Sequence, residues 1–470
     1  MPAFIKKLKN IFSHQAAPSP KPADTNSWHN WSRRLSCEPA NQIAPQSLDE
    51  LAAALKSAAG SIRPAGSGHS FSALVPTDGT IISLSGFTGI RDYNPETREV
   101  TLGAGTQLHD IGEPLHKLGM ALKNMGDIDK QTLAGAISTS THGTGANLTS
   151  LSASVTGLEL VTTSGAVLWC DKDHNPDIFR AAQVSLGALG VVTAIRIKCQ
   201  EPYLLERREY TAPLEDVLDN WETLAKENRN IEFFFLPYSD MVAVTTLNVA
   251  APDAAIVRAA PETKDPLETL DSVHRWLGWS KKLHRAVLNH EVRKEKLKRE
   301  VDQSYKIYPT ERNTRFNEME YHLPRENGPA AIREIRDTIY NQKLDISFPI
   351  EFRLVDGDDA WLSPFYGRKS CSIAVHQFHD RDPMPYFNII EPILRKYGGR
   401  PHWGKQHTLK AADLAELYPR WNDFLKIREQ LDPEGKFLNA HLSKILGVGP
   451  KTHAPHPEAK NGNTANLPKP

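Results

Sequence analysis

The chain has 470 residues, long enough for two or three domains and a sizeable core. Its 56 basic and 56 acidic residues cancel to zero net charge, which argues against a nucleic-acid partner, because neutralising phosphates takes a basic excess. Cys37, Cys170, Cys199 and Cys371 are scattered with no pair at metal-ligand spacing, a usage that points to a reduced, cytoplasmic protein.

No stretch approaches the roughly 20 apolar residues that span a bilayer. The N-terminus has another pattern. Phe4, Ile5, Leu8, Ile11 and Phe12 share one helical face, and Lys6, Lys7 and Lys9 supply charge. A helix over residues 4–12 would either make peripheral contact with an anionic membrane or dock on its own domain. Residues 15–27 are rich in proline and small polar residues and read as a linker, with ordered structure expected from Trp28. Ser47 with Glu50 forms a capping-box signature ahead of a helix from Leu48 to Ala59.

A glycine-rich turn follows, Arg63-Pro-Ala-Gly-Ser-Gly-His-Ser-Phe-Ser72. Its glycines let successive N–H groups face one concavity, where His69 would serve as a nucleophile or an acid–base group. A tight turn ending in a hydrogen-bonded histidine explains the same residues. Strands are expected at Thr80–Leu84 and Glu99–Leu102, then a helix over Gln107–Lys117. The segment Thr132–Gly145 is almost entirely small residues and hydroxyls, which lets backbone approach a ligand and supplies donors. Strands at Leu158–Thr162, Val167–Cys170 and Val191–Lys198, with a helix over Asp177–Leu186, complete an α+β pattern for residues 28–205.

The character changes after Pro202. Residues 209–225 read as helix, Ile231–Leu236 as an aromatic strand, and the charged stretch 251–305 as mostly helix. In Ile346–Leu354 the alternation places Glu351 and Arg353 on one face, with Cβ atoms about 7 Å apart. In Cys371–Phe378 it places Ser372, Ala374 and His376 together. If these strands are neighbours, Glu351, Arg353 and His376 line one polar cavity; otherwise they form a solvated strand face. Lys405 closes the conspicuous Pro-His-Trp-Gly-Lys stretch.

Several motifs are absent. Neither Gly66/Gly68 nor Gly103/Gly105 completes G-x-G-x-x-G, and there is no Walker A lysine, H-E-x-x-H, C-x-x-C or G-x-S-x-G. His402, His407 and His441 have no carboxylate or cysteine at ligand spacing, so no metal site is expected.

Gly66-Ser-Gly-His-Ser70, the Gly126–Gly145 segment, Glu351-x-Arg353, Pro401-His-Trp-Gly-Lys405 and Leu431-Asp-Pro-Glu-Gly-Lys-Phe-Leu-Asn439 occur in this order. Together they resemble the aldonolactone and alditol oxidases (gulonolactone, D-arabinono-1,4-lactone and xylitol oxidases) of the vanillyl-alcohol-oxidase flavoproteins. The resemblance covers about residues 28–446. It implies a two-domain fold with an FAD-binding domain of the PCMH type at 28–205 and a substrate (cap) domain at 206–400. A segment at 401–446 would complete the FAD site, ahead of a disordered tail at 447–470.

It also implies FAD, held by Pro64, Ala65, Gly66, Ser67, Gly68 and Ser70 and covalently attached through His69. Gly126, Asp127, Thr132, Gly135, Ala136, Ser138, Thr139, Thr141, His142 and Gly143 would cradle the pyrophosphate and flavin edge. Gly190 and Val191 would lie against the cofactor, and His402 and Lys405 would reach it from the C-terminal segment. Glu351, Arg353, Lys405 and His376 take the catalytic positions, and the substrate is a sugar lactone or polyol oxidised with oxygen as acceptor. Two alternatives stand beside this: a dehydrogenase that reduces a quinone or cytochrome, and a carbohydrate- or flavin-binding protein without turnover. Asp127 departs from the group, where a serine or alanine is expected, and bears on which substrate is recognised.

Overall fold

A computed structural model describes residues 27–258, 266–293, 297–310 and 314–449. The amphipathic stretch at 4–12 and the tail from 450 onward lie outside the described residues. Strand β1 (Asn41–Ile43) precedes helix α1 (Leu48–Ser57), where the Ser47 side chain accepts the Glu50 N–H at 3.2 Å. Glu50 reaches back one residue further than a capping box requires, accepting from the Gln46 N–H at 2.7 Å. β2 (Ile62–Ala65) and β3 (Thr80–Ser83) join β1 in a parallel sheet of order β1-β3-β2.

A second, antiparallel sheet takes β4 (Ile90–Asn94), β5 (Glu99–Gly103), β6 (Val155–Val161), β7 (Val167–Asp171) and β8 (Val191–Lys198), in the order β4-β5-β8-β6-β7. A turn at Asn94 leads into β5, where the Asn94 side chain accepts from the N–H groups of Glu96 and Thr97 at 2.9 and 3.1 Å. The strand entering it is β4, which was not among the expected strands, and Thr80–Ser83 belongs to the other sheet. β4 reads Ile-Arg-Asp-Tyr-Asn on an exposed edge and has no apolar alternation to reveal it. The small-residue segment holds a short helix, α2 (Leu133–Ser138), capped by Thr132 and burying Leu133, Ala136 and Ile137. The helix expected over Gln107–Lys117 is two pieces, Leu108–Asp110 and Gly112–Lys117, and the next is confined to Pro176–Ala182.

From residue 204 the chain builds an eight-stranded antiparallel sheet. Its strands are β9 (Leu204–Pro213), β10 (Asn230–Phe235), β11 (Met241–Val249), β12 (Lys298–Gln303), β13 (Phe316–Pro324), β14 (Ile350–Val355), β15 (Ser370–Phe378) and β16 (Arg400–Pro401). Their order is β12-β9-β11-β10-β14-β15-β13-β16. The expected helix over 209–225 is corrected here. Residues 209–213 are strand, because β9 pairs with β11 through Pro213, while β12 flanks it only as far as Glu209, and only Leu214–Asp219 and Trp221–Glu227 are helical. Strand pairing overrides local propensity. The charged stretch forms α3 (Pro266–Leu277) and α4 (Lys281–Val292) but ends in the edge strand β12.

Helices α5 (Gly328–Gln342) and α6 (Met384–Lys396) lie against β15 and β13. On this covered side Phe352 of β14 stacks on Phe233 of β10, with ring centroids 4.8 Å apart, and meets Trp221 edge-on at 4.7 Å. The alternate residues Glu351 and Arg353 face the other side. Helices α7 (Ala411–Leu417), α8 (Trp421–Leu431) and α9 (Ala440–Leu446) then return the chain to the first sheets.

Arg63 fastens that return. It is fully buried and donates to four carbonyls: Leu74 at 2.7 Å, Leu186 at 2.7 Å, Gly187 at 2.9 Å and Phe437 at 2.5 Å. Burial pulls its pKa down to about 9, with Asp432 opposing the shift. One guanidinium thus joins the turn at β2, the loop before β8 and the C-terminal segment. Arg63→Met should strand these carbonyls and lower stability by roughly 3 kcal/mol or more, seen as a lower urea midpoint. An unchanged midpoint would remove Arg63 from this role.

Candidate active site

Two connected hollows meet at His69. The first is a cleft lined by Pro64 to Ser70, Gln131, Thr132, Gly135, Ser138, Thr139 and Gly190. The second is a cavity of about 1400 Å³ between this region and the eight-stranded sheet. His69, Ser70, Gln131 and Thr139 line both.

The cleft has what a phosphate-bearing ligand requires. The consecutive backbone N–H groups from Gly66 to Ser70 donate to no acceptor among the described residues. Gly68 sits at φ +73, in the left-handed region that favours glycine. Gly66 cannot be larger, because a Cβ there would stand 2.2 Å from the Thr132 hydroxyl oxygen. Unpaired donors in a glycine cradle fit an FAD pyrophosphate at this place. Ala136 and Val191, expected at the cofactor, are fully buried in the core, and Val192 lines the cleft instead. Gly143 lies off this cleft, on a pocket beside Asp127 and Arg353.

His69 stacks on Trp31, centroids 5.6 Å apart. Burial, and next the Lys405 charge, bring its pKa to about 4 against a weaker pull from Asp129. The imidazole is therefore neutral near pH 7. Its turn is tied to the C-terminal loop, where Phe71 N–H donates to Gly404 O at 2.7 Å and Ser72 donates to Trp403 O at 2.6 Å. Trp403 is fully buried, donates to Leu362 O at 2.6 Å and stacks on Tyr418 at 4.9 Å. That anchoring aims Lys405 into the cavity.

The expected neighbouring of two strands is observed. β14 pairs with β15, with Glu351 opposite Ala374 and Arg353 opposite Ser372, and Glu351, Arg353, His376 and Lys405 all line the cavity. Two further residues were not anticipated. β13 pairs on the far side of β15, setting Glu318 opposite His376 and Glu320 opposite Ala374. Their signal is present in Phe316-Asn-Glu-Met-Glu-Tyr-His322, where Glu318, Glu320 and His322 alternate onto one face. Glu232 of β10, opposite Arg353, was missed as well.

These groups form one charge network. Arg353 is ion-paired with Glu351, with Glu232 at 2.9 Å and with Asp127 at 3.3 Å. Lys405 is ion-paired with Glu318 and lies 4.0 Å from Glu320. Burial opposes ionisation of Glu318, but Lys405 and His376 outweigh it and take the carboxyl down to about 2. Glu351 goes the other way. Burial, reinforced by Asp127 and Glu232, raises it well above the ordinary range despite Arg353. Glu318 is thus held as an anion, whereas burial works against ionisation of Glu351.

His142 donates from Nδ1 to Gly143 O at 2.7 Å and turns Nε2 to Glu320 at 3.0 Å, with Gly126 and Thr141 nearby on the cavity wall. His376 donates from Nδ1 to Pro349 O at 3.2 Å and lies 3.5 Å from Glu318 through Nε2. Two groups, His142/Glu320/His322 and Glu318/Glu351/His376, have ligand atoms close enough to hold a metal ion. Lys405 and Arg353 already stand against their carboxylates and oppose a further cation.

A cradle for FAD beside a cavity of fixed charges on a separate sheet is the arrangement of a two-domain FAD-dependent oxidoreductase. The comparisons agree. The FAD binding domain family matches residues 39–171, and the D-arabinono-1,4-lactone oxidase family matches residues 195–445. L-gulono-1,4-lactone dehydrogenase of Mycobacterium tuberculosis is 36% identical over 89% of this chain and 99% of its own length. L-gulonolactone oxidase of Bos taurus is 31% identical over 89% and 98%, and an alditol oxidase of Streptomyces is 27% identical over 89% and 98%. In solved structures, cholesterol oxidase of Brevibacterium sterolicum shares the fold at TM-score 0.74 and 16% identity, covering 92% of this chain and 100% of that one. The chain belongs to the D-arabinono-1,4-lactone oxidase family of FAD-dependent oxidoreductases.

The buried histidines impose a pH dependence. Burial pulls His402 to about 3 and His322 well below the ordinary value. A histidine that folds neutral stabilises fully above its unfolded pKa, near 6.5, and loses that contribution as pH falls toward the folded value. The urea midpoint of the flavin-free protein should therefore drop from pH 6.5 downward, and less steeply in His402→Gln. A midpoint that stays flat between pH 7 and pH 4 contradicts this reading.

Proposed function

We propose that this enzyme oxidises a carbinol carbon of an uncharged sugar lactone or alditol, of the D-arabinono-1,4-lactone kind, with oxygen as acceptor. The supporting observation is the pair Arg353 and Lys405, facing one cavity that begins at His69 and whose charged lining has an acidic excess. Its lining carries seven acidic residues, among them Asp127, Glu318, Glu320 and Glu351, against four basic ones, Arg207, Lys298, Arg353 and Lys405. Such a lining admits polyhydroxyl groups and repels aldonate or phosphorylated sugars. The domain reading follows the same division: cofactor at 28–205, substrate at 206–400, and residues 401–446 closing the site in a cytoplasmic protein.

FAD, when bound, supplies the hydride acceptor. Gly66 to Ser70 would hold its phosphates through their free N–H groups, and His69, neutral and nucleophilic, would carry the covalent link. Arg353 and Lys405 orient the reacting hydroxyl and stabilise developing alkoxide charge, each contributing up to a few kcal/mol. Glu351 orients a neighbouring hydroxyl and keeps Arg353 aimed through their pair. His376 takes the proton and shares it with Glu318, its neighbour at 3.5 Å. The 36% identical relative named a dehydrogenase favours a second reading, in which another acceptor replaces oxygen.

His69→Ala should release all yellow colour on acid precipitation, whereas the natural chain keeps it; acid-stable flavin in the variant disproves the attachment. Lys405→Met should lower kcat about 100-fold, with a flavin spectrum intact. Asp127→Ser should raise use of aldonate relative to lactone about tenfold, and an unchanged ratio sets aside the charge argument. For the acceptor, protein bleached by substrate without oxygen is opened to air. Reoxidation slower than turnover rejects the oxidase in favour of the dehydrogenase.

A further inference from the structure

The α3–α4 hairpin has two unlike sides. Inward, Leu270 and Val273 of α3 and Val287 and Leu288 of α4 line the cavity. Outward, at the tip, Trp279 is 81% exposed, Trp276 49% and Leu283 43%. Trp276 ends α3, Trp279 sits in the turn and Leu283 lies in the first turn of α4, so the three share one end of the hairpin. Neither indole N–H donates to an acceptor among the described residues. Nothing in the oxidation chemistry uses these side chains, and soluble surfaces rarely group such residues without a partner.

The surrounding charge identifies the partner. From Arg275 to Ala286 the sequence carries Arg275, Lys281, Lys282 and Arg285 and no acidic residue. Arg275 is paired with Asp271 at 2.7 Å and Arg285 with Asp240, while Lys281 lies 4.2 Å from the Tyr238 ring centroid and Lys282 is exposed. A protein partner would offer a shaped pocket to large apolar anchors. Indoles with free N–H groups at a convex tip, beside lysines, match instead the boundary between headgroups and acyl chains. There an aromatic body enters hydrocarbon while its N–H stays hydrated and lysines meet phosphate.

We propose that this tip docks the protein on an anionic lipid surface, with Trp276, Trp279 and Leu283 entering the interface and Lys282 held at the headgroups. Because the same two helices wall the cavity, docking fixes that wall at the membrane. The oxidation itself does not depend on it.

The test is co-flotation of the full-length, flavin-loaded protein with phosphatidylcholine vesicles, with and without phosphatidylserine. Residues 4–12 are present throughout, so differences between variants report on the hairpin. The natural chain should float with phosphatidylserine vesicles and show a blue shift of tryptophan emission. Trp276→Ser with Trp279→Ser should lower the partition about tenfold or more, and Lys282→Glu should lower it for anionic vesicles alone. Activity on a soluble substrate should be unchanged in both. The proposal is overturned if the natural chain does not float, or if the double variant floats equally well. It is also overturned if the tryptophans instead mediate self-association that the double variant abolishes.

Discussion

Arg353 is a buried cation and Lys405 a largely buried one, and the cap sheet is arranged to keep them so. Removing a charge from water costs several kcal/mol even after relaxation, unless opposite charges and hydrogen bonds replace the solvent. Here the replacement comes from four adjacent strands in one register. One cross-strand row runs Glu320, Ala374, Glu351, Phe234, and the next runs His322, Ser372, Arg353, Glu232. A slip of one residue in any strand would turn its charged face into the aromatic core around Phe352 and Phe233. Small residues at Ser372 and Ala374 in the middle strand leave room for the longer side chains on either side. The electrostatic balance therefore also specifies the sheet.

That balance is asymmetric, and the asymmetry divides the labour. Lys405 has a strongly ionised partner in Glu318, whereas Arg353 is shared among three acidic side chains, of which buried Glu351 is the one whose pKa is raised. The site thus presents cations beside carboxyl groups whose pKa values are pushed in opposite directions. Lys405 also depresses the pKa of His69 across the cavity, so the substrate side and the cofactor side are electrically linked. The link is mechanical too, since Gly404 and Trp403 accept from the backbone of Phe71 and the side chain of Ser72.

Much of this was legible in local pattern. The strand Val191–Lys198, the alternation of Glu351 with Arg353, the N-cap at Ser47 and the nest around His69 depend on side-chain period and glycine placement, which act over a few residues. Thr132–Gly145 was recognised as ligand-facing by its composition, yet its short helix was not, because helix α2 buries only one narrow stripe. Strand β4 escaped because an exposed edge needs no apolar alternation, and 209–213 was taken for helix because its pairing partners lie elsewhere in the chain. Glu318 and Glu320 were passed over although their alternation is visible, because two acids on a strand read as a wet face until a buried lysine is placed beside them.

By itself the sequence determined the chemistry available: a glycine turn bearing His69, an acid and an arginine on one strand face, and a lysine behind a tryptophan. Its ordered motifs were enough to point to an FAD-dependent oxidase of sugar lactones or alditols. Only the tertiary structure decided which charges meet. Glu318, Glu232 and Asp127 approach Lys405 and Arg353 across strand pairs and loops remote in the chain, and Ala136 and Val191 turned inward to the core. Periodicity is a property of a few neighbouring peptides, whereas the partner of a buried charge is chosen by whichever strands fold beside it.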